Sequence, residues 1–398
     1  MIEVSEAIAR VLSTVGTQQE ELIPLHEAVG RTLAADVVAD RDLPPFDRVT
    51  MDGIAIMAAH YRGSGQQYKV TGIAPAGEPQ KVLTDEQQCL EVMTGAPLPV
   101  GCDTVVRYED LTSTDIGYTI NIQLQAGKNV HRQGSDHKQG DVLLPKGQEL
   151  KAADINVLAT VGQVDVPVLQ RPTVAVISSG DELVPIQDIP KPHQIRASNS
   201  HMLAARLRQL GIEGHSYHLP DVKDSMTTLL ADISDRYQVL LISGGVSKGK
   251  FDFMPEVLSQ LGYETLFHRV AQRPGKPFWF GRKGSSVVFA FPGNPVSTLA
   301  CFHRYFMPWY QRTMGQPSTT LRAVLAEDVS FKPPLTYFAQ AKLAQQTDGT
   351  MMATVSHGKG SGDMVSPTTQ DGFLELPADR EQFRKGEVFN FIPFHPLY

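Results

Sequence analysis

Between residues 273 and 295 the chain reads RPGKPFWFGRKGSSVVFAFPGNP. Two strand cores, PFWFG and SVVFAF, are bracketed by PGKP and PGNP, with Arg273, Lys276, Arg282 and Lys283 crowded around them. Proline and glycine shape the backbone and clustered cations attract anions, so the stretch reads as a rigid pocket for something negatively charged. A second segment, SGGVSKGKFD, offers Ser243, Gly244, Gly245 and Ser247 ahead of a helix. It is either a phosphate or oxyanion cradle made of backbone N–H groups or a tight turn that needs glycine. In PGNP, Pro292, Gly293, Asn294 and Pro295 open a further helix, with Asn294 expected as its N-cap.

Carboxylates accompany these loops. Asp181 and Glu182 lie in SSGDEL, Asp221 ends HLPD, and Asp252 ends the SGG segment. Taken singly, Asp221 and Asp252 read as helix caps. Together, beside an anion cradle, Glu182, Asp221 and Asp252 suit Mg²⁺, which binds through one or two carboxylates plus substrate phosphates. Asp52 in VTMDGIA, Thr94 in MTGAPLP and Asp136 in GSDHKQGD sit on glycine- and proline-rich loops far earlier in the chain. Other chemistries fail the spacing test: GxxxxGKS/T and HExxH are both missing.

The elements that must position these groups change character along the chain. Residues 2–14 have helical periodicity, PLHEAVGRTLA suggests a second helix, and Pro44–Pro45 breaks any element across them. From Asp47 to Asp136 come short strands among glycines and prolines. Residues 137–170 read strand, helix, strand. From Pro172 strands alternate with helices of 10 to 15 residues, the signature of a mostly parallel sheet whose ligands bind at the strands' carboxyl ends. SSGDEL, SGGVSKG and PGNP each come after a strand of that region, so all three are expected on one edge. The last ~80 residues read as antiparallel strands of a small barrel. The expected class is a multidomain α/β plus β protein. The successive stretches are residues 1–44, a β-rich run 45–136, a strand-helix-strand run 137–170, an α/β region 171–315 and a C-terminal barrel 316–398.

The 398 residues are too many for one ordinary core; 41% are hydrophobic, 20% charged, and the formal net charge is -7. An acidic chain argues against nucleic acid as the main partner and for a small anionic ligand at a local cationic pocket. Cys89, Cys102 and Cys301 form no CxxC pair, and Cys301 lies in an apolar helical run as a core residue. The N-terminus lacks a basic and then apolar leader, and no run approaches a membrane span; the expected location is cytoplasmic, with no membrane partner.

In order along the chain, PPFDRVTMDGIA, MTGAPLPVGCDTVVRYED, SSGDEL, LISGGVSKGKFD, RPGKP and FPGNPVS resemble the signature set of the MoeA/gephyrin E-domain family, the molybdopterin molybdenumtransferases. The resemblance implies a segmented elongated domain (1–44 and 137–170), an inserted β-rich domain (45–136), a MogA-like α/β domain (171–315) and a barrel (316–398). It also implies a homodimer whose active site lies between the α/β domain of one subunit and the β-rich domain of the other. The implied reaction is Mg²⁺-dependent insertion of molybdate into adenylylated molybdopterin with release of AMP, and a MogA-type adenylyltransferase is an implied partner. Matching positions implied to matter for activity are Asp52, Thr94, Asp136, Glu182, Asp221 and Asp252. Pro292 and Pro295 match conserved prolines, Arg273 and Lys276 match molybdate-holding cations, and Ser361 in KGSGD matches a serine offered by the barrel.

The chain departs from the pattern in several places. Ser179 replaces threonine, Lys248 and Lys250 replace an apolar residue and an acid, Arg273 replaces lysine, and Ile54 replaces an aromatic. In the barrel, F-x-R becomes Phe338-Ala339-Gln340, with Lys342 two residues along as a candidate substitute cation. These departures keep open a non-catalytic molybdopterin-binding paralogue. A nucleotide-acting enzyme sharing only the MogA-like domain is a third reading, disfavoured by the MDG and TGAPLP segments.

Overall fold

The Val174–Ser179 and Val239–Ser243 strands are buried at every position, as central strands covered on both faces must be. A computed structural model describes residues 1–246, 253–317, 320–356 and 358–395. The two strands belong to a six-stranded sheet ordered Gly214–Leu219, Val174–Ser179, Val239–Ser243, Ser286–Phe291, Trp279–Lys283, Glu264–His268. The first four run parallel; Trp279–Lys283 is antiparallel to both its neighbours. From Val174–Ser179 the chain goes to one side through helix Asn199–Gln209, then crosses through helix Lys223–Arg236 to the other. That reversal opens a crevice at the carboxyl ends of Val174–Ser179 and Val239–Ser243.

Strand alternation sends Val174, Val176 and Leu241 into one core and Ala175, Ile177 and Leu240 into another. The first core also takes Phe278, Phe289 and Phe291, the helices after Pro295, and Val4, Ala7 and Val11 of the N-terminal helix Val4–Leu12. Each such buried aromatic or aliphatic side chain contributes about 1.5–3 kcal/mol on leaving water. The helical run after Pro295 widens into a π turn at Phe302–Phe306, immediately ahead of Pro308, which has no N–H for the carbonyl one turn back.

Five strands of the C-terminal region close on themselves: Leu321–Leu325, Thr336–Gln345, Met351–Val355, Gly372–Leu376 and Val388–Pro393. The expectation of antiparallel strands throughout is corrected at one seam, where Leu321–Leu325 pairs parallel with Met351–Val355. An odd number of strands cannot alternate in direction around a closed ring, so one parallel pair is obligatory. Gln272–Arg273 joins this barrel by pairing with Thr336–Tyr337. The run TLFHRVAQ is therefore not one strand. It ends at His268, turns at Arg269 with φ +82°, and gives its last residues to the barrel.

Glu20–Pro24 pairs with Asp165–Leu169, and Ile23, Leu33 and Val37 share a core with Leu144, Leu158 and Val166 from beyond the β-rich segment. The helix expected over PLHEAVGRTLA is only a 3₁₀ turn, Leu25–Glu27; Gly30 at φ +75° turns the chain, and Thr32 and Leu33 form bridges to Glu149 and Val168. The intervening module is a six-stranded sheet with a core on each face. Among the described residues no helix is long and apolar enough to cross a membrane.

Candidate functional site

The parallel register carries the loops to one edge. Ser179 lies beside Leu219, so two residues further on Asp181 and Asp221 come opposite one another. Asp181 N donates to Asp221 Oδ2 (3.3 Å), Asp221 N to Asp181 Oδ1 (3.1 Å), and Ser179 Oγ to Asp221 Oδ1 (3.1 Å). Next to them, Gly244 has φ +103°, and a Cβ there would stand 2.5 Å from the Ser179 carbonyl oxygen. Only glycine lets the two loops approach this closely.

These loops line a cavity of about 830 Å³ at the switch point, together with Glu182, Ser243, Gly245, Gly293, Asn294 and Pro295. Helix Asn199–Gln209 also points its N-terminus into it, with Ser198, Asn199 and Ser200 on the wall. Exposed N–H groups and a helix N-terminus favour anions there. Sequence reasoning missed Asn199. Its Nδ2 donates to Ser243 Oγ (2.9 Å) and to the Gly293 carbonyl (2.7 Å), tying the SGG loop to PGNP. The polar run ASNS ahead of an apolar helix was the available signal.

A second cavity of about 450 Å³ lies between the sheet and the barrel, lined by Arg273, Lys276, Pro292, Asn294, Gln340 and Ser361 among others. Asn294 belongs to both cavities. Asn294 stands at the N-cap position as expected, but its side chain makes no cap bond, and Asn294 Nδ2 donates instead to Ser361 Oγ (2.8 Å). The barrel supplies the cap, since Val296 N donates to the Ser361 carbonyl (3.1 Å). Arg273 and Lys276 are exposed and have no carboxylate partner among the described residues; nor does Arg196 on the larger cavity, which donates only to the Asp188 carbonyl (3.0 Å). Gln340 is 7% exposed and accepts from Ser366 Oγ (3.0 Å). Lys342 does not substitute for a cation here: it is exposed on the barrel and lines neither cavity.

The β-rich module gathers its residues separately. Register Gly53↔Val92 puts Asp52 and Thr94 just beyond the end of one ladder. Thr94 N (2.6 Å) and Oγ1 (2.7 Å) both donate to Asp52 Oδ1, and these bonds hold the Asp52 carboxyl below its usual range. Asp136 is bonded to His131 Nε2 (2.7 Å), which likewise lowers its pKa. Neither Asp52, Thr94 nor Asp136 lines the cavities of its own chain. Ser247, Lys248, Lys250 and Asp252 lie outside the described residues. Among the described residues no three His, Cys, Asp or Glu side chains meet at metal-binding spacing; the expected trio is represented by Glu182 and Asp221 on one cavity wall.

An open α/β sheet with a crevice at its switch point, abutting a cation-lined cavity closed by a barrel, defines an α/β protein with appended β domains. Three family models cover the chain: the MoeA N-terminal region (domain I and II) over residues 2–162, a probable molybdopterin binding domain over 175–312, and the MoeA C-terminal region (domain IV) over 322–394. The molybdopterin molybdenumtransferase of Synechocystis sp. is 39% identical over 396 residues, covering 98% of this chain and 99% of that protein. That of Staphylococcus epidermidis is 32% identical over 400 residues, covering 98% and 95%. The crystal structure of the molybdopterin biosynthesis MoeA protein from Pyrococcus horikosii superimposes with a TM-score of 0.87 at 30% identity, covering all of both chains. The chain belongs to the MoeA family of molybdopterin molybdenumtransferases, enzymes of molybdenum cofactor biosynthesis.

Proposed function

We propose that the larger cavity receives the phosphorylated part of adenylylated molybdopterin, that the smaller one receives molybdate, and that the enzyme joins the two with release of AMP. The observation carrying this reading is the shared wall at Asn294, which sets an oxyanion site directly beside a phosphate site. Arg273 and Lys276 supply two positive charges for a dianion, and Ser361 adds a hydroxyl at the boundary. The backbone N–H of Gly245 and the N-terminus of helix Asn199–Gln209 offer donors to phosphate oxygens, fixed before substrate arrives, while the Gly244 N–H is held by the Phe291 carbonyl (3.1 Å). Asn199 holds the two loops in register, so that the reacting groups meet without a search.

Two carboxylates beside such donors fit Mg²⁺, a hard cation that takes one or two carboxylates plus substrate phosphates. Glu182 and Asp221 would hold it. Bound there, it would neutralise phosphate charge and ease departure of AMP.

We assign Asp52, Thr94 and Asp136 to the cleft of a second copy in a homodimer; their exposure and their separation from both cavities of their own chain support this. The four-part division at residues 44, 136, 170 and 315 is our reading too, as are a cytoplasmic location and supply by a MogA-type adenylyltransferase. Unpaired cysteines support a reducing compartment; burial pushes the Cys89 and Cys102 thiols up to about 12. The test measures AMP from adenylylated molybdopterin and Mg²⁺ with and without molybdate. Molybdate-dependent AMP release is expected; pterin binding without turnover under any molybdate concentration would overturn the reading. That second outcome is the one favoured by the neutral Gln340 amide in the cation cavity, and it would identify a non-catalytic pterin-binding paralogue.

A further inference from the structure

The loop carrying Arg273 and Lys276 is closed by a bond from Val270 N to the Lys276 carbonyl (3.0 Å). A closed turn of this size directs carbonyls inward, where each needs a donor. Gln272 supplies them. Its side chain is fully buried, and Nε2 donates to the carbonyls of Pro274 (3.2 Å) and Gly275 (3.2 Å) and lies 3.4 Å from Cys301 Sγ. Its Oε1 accepts from Tyr305 Oη, itself fully buried in the π turn. The amide thus faces its NH₂ to two acceptors and its oxygen to one donor, the only orientation in which every group is satisfied. Gly275, at φ +91°, completes the fit: a Cβ there would come within 2.7 Å of both Cys301 Sγ and Gln272 Nε2.

We propose that Gln272, braced by Tyr305, is a positioning residue that fixes the Arg273–Lys276 loop as a preformed oxyanion clamp. It acts through the backbone of that loop. Binding an oxyanion to a clamp already in place costs little ordering, whereas a loose loop must be ordered at each binding event. The larger cavity is built from other strand ends, and Gln272 does not line it. The inference rests on reading the smaller cavity as the oxyanion site, and it locates the stiffness of that site in two buried side chains.

The test compares Gln272→Met, Gln272→Glu and Tyr305→Phe with the unaltered enzyme. Steady-state AMP release is measured against molybdate and against adenylylated molybdopterin, with calorimetric titration of molybdate alone. Gln272→Met keeps volume but strands two carbonyls, and the molybdate KM should rise about tenfold while kcat and the pterin KM hold. Gln272→Glu sets a carboxylate against the same carbonyls and should weaken molybdate at least as much. Tyr305→Phe should shift the molybdate KM in the same direction by about threefold, keeping a readout if the Gln272 variants fold poorly. An unchanged molybdate KM and molybdate affinity in folded Gln272→Met overturns the proposal. So does an equal loss in both substrate constants, which marks a purely structural role. If the unaltered enzyme shows no molybdate-dependent AMP release, the functional reading fails first; calorimetry with the variants still decides whether Gln272 shapes an oxyanion site.

Discussion

At the sheet edge, Ser179 and Ser243 are buried, and Asp221, Asp181 and Asn199 each bond across to a neighbouring loop. On the β-rich module, Asp52 and Asp136 are exposed, and among the described residues their carboxylates bond to Thr94 and to His131 and Ser135 of the same module. The first region spends its polar groups on fixing a cavity. The second holds its carboxylates ionised on a surface outside both described cavities of its own chain. A site assembled from both regions would have one half that is rigid before assembly and one half that acts only when another surface meets it. The two halves should therefore break differently.

The largest effect is expected at the rigid half. Lys276→Ala removes one of the two cations from the smaller cavity and should lower AMP release by about 100- to 1,000-fold at fixed molybdate. Its melting temperature should stay unchanged, because Lys276 is exposed and unpaired among the described residues. Retention of near-full activity would mean that the oxyanion does not lie there. Gly244→Ala attacks the same half through its backbone. A side chain at φ +103° costs about 1–3 kcal/mol and meets the Ser179 carbonyl oxygen, so a lower melting temperature and weaker pterin binding should appear together. A normal melt would show that the two loops have more room than a 2.5 Å approach allows.

How much of this contrast could be read from residues alone differs between the halves. Strand-end loops were legible because glycine and proline mark them and the parallel arrangement puts them on one edge. SSGDEL, SGG and PGNP met there as expected. Asn199 was not legible, since a polar residue at a helix start reads as a surface cap until the sheet brings PGNP alongside it. Asn294 is the N-cap residue its sequence position suggests, but the barrel's Ser361 takes both its side chain and the Val296 N–H, a tertiary contact no local pattern contains. Likewise, the parallel seam of the barrel arises from closure of five strands and leaves no mark in hydrophobic alternation. The apparent helix over PLHEAVGRTLA had the right periodicity, yet Gly30 and bridges to Glu149 and Val168 took the backbone elsewhere.

Mixing experiments address the half that lacks a cavity. Asp52→Ala and Glu182→Ala should each be nearly inactive alone. Coexpressed, they should recover about a quarter of normal AMP release, since half of randomly assorted dimers are mixed and each mixed dimer keeps one intact site. No recovery above the separate variants would sink the assignment of Asp52 to a second copy's cleft.

The smallest effect tests whether the module tunes its own acid. Asp52 is depressed first by the Thr94 hydroxyl and then by the Thr94 N–H. A depressed carboxylate contributes stabilisation that is present above the ordinary Asp range, about 3.9, and is lost as pH falls through the lowered value. Thr94→Val keeps the N–H and deletes the hydroxyl, so the Asp52 titration monitored by carbon NMR should move up toward that range without reaching it. Activity near neutral pH should change by only about threefold, because the carboxylate stays ionised and loses only one neighbour that orients it. If instead the titration stays put, the hydroxyl is not what holds the charge. The exposed corner would then owe its acidity to the backbone alone, as any tight turn could provide, and its distinction from an ordinary turn would disappear.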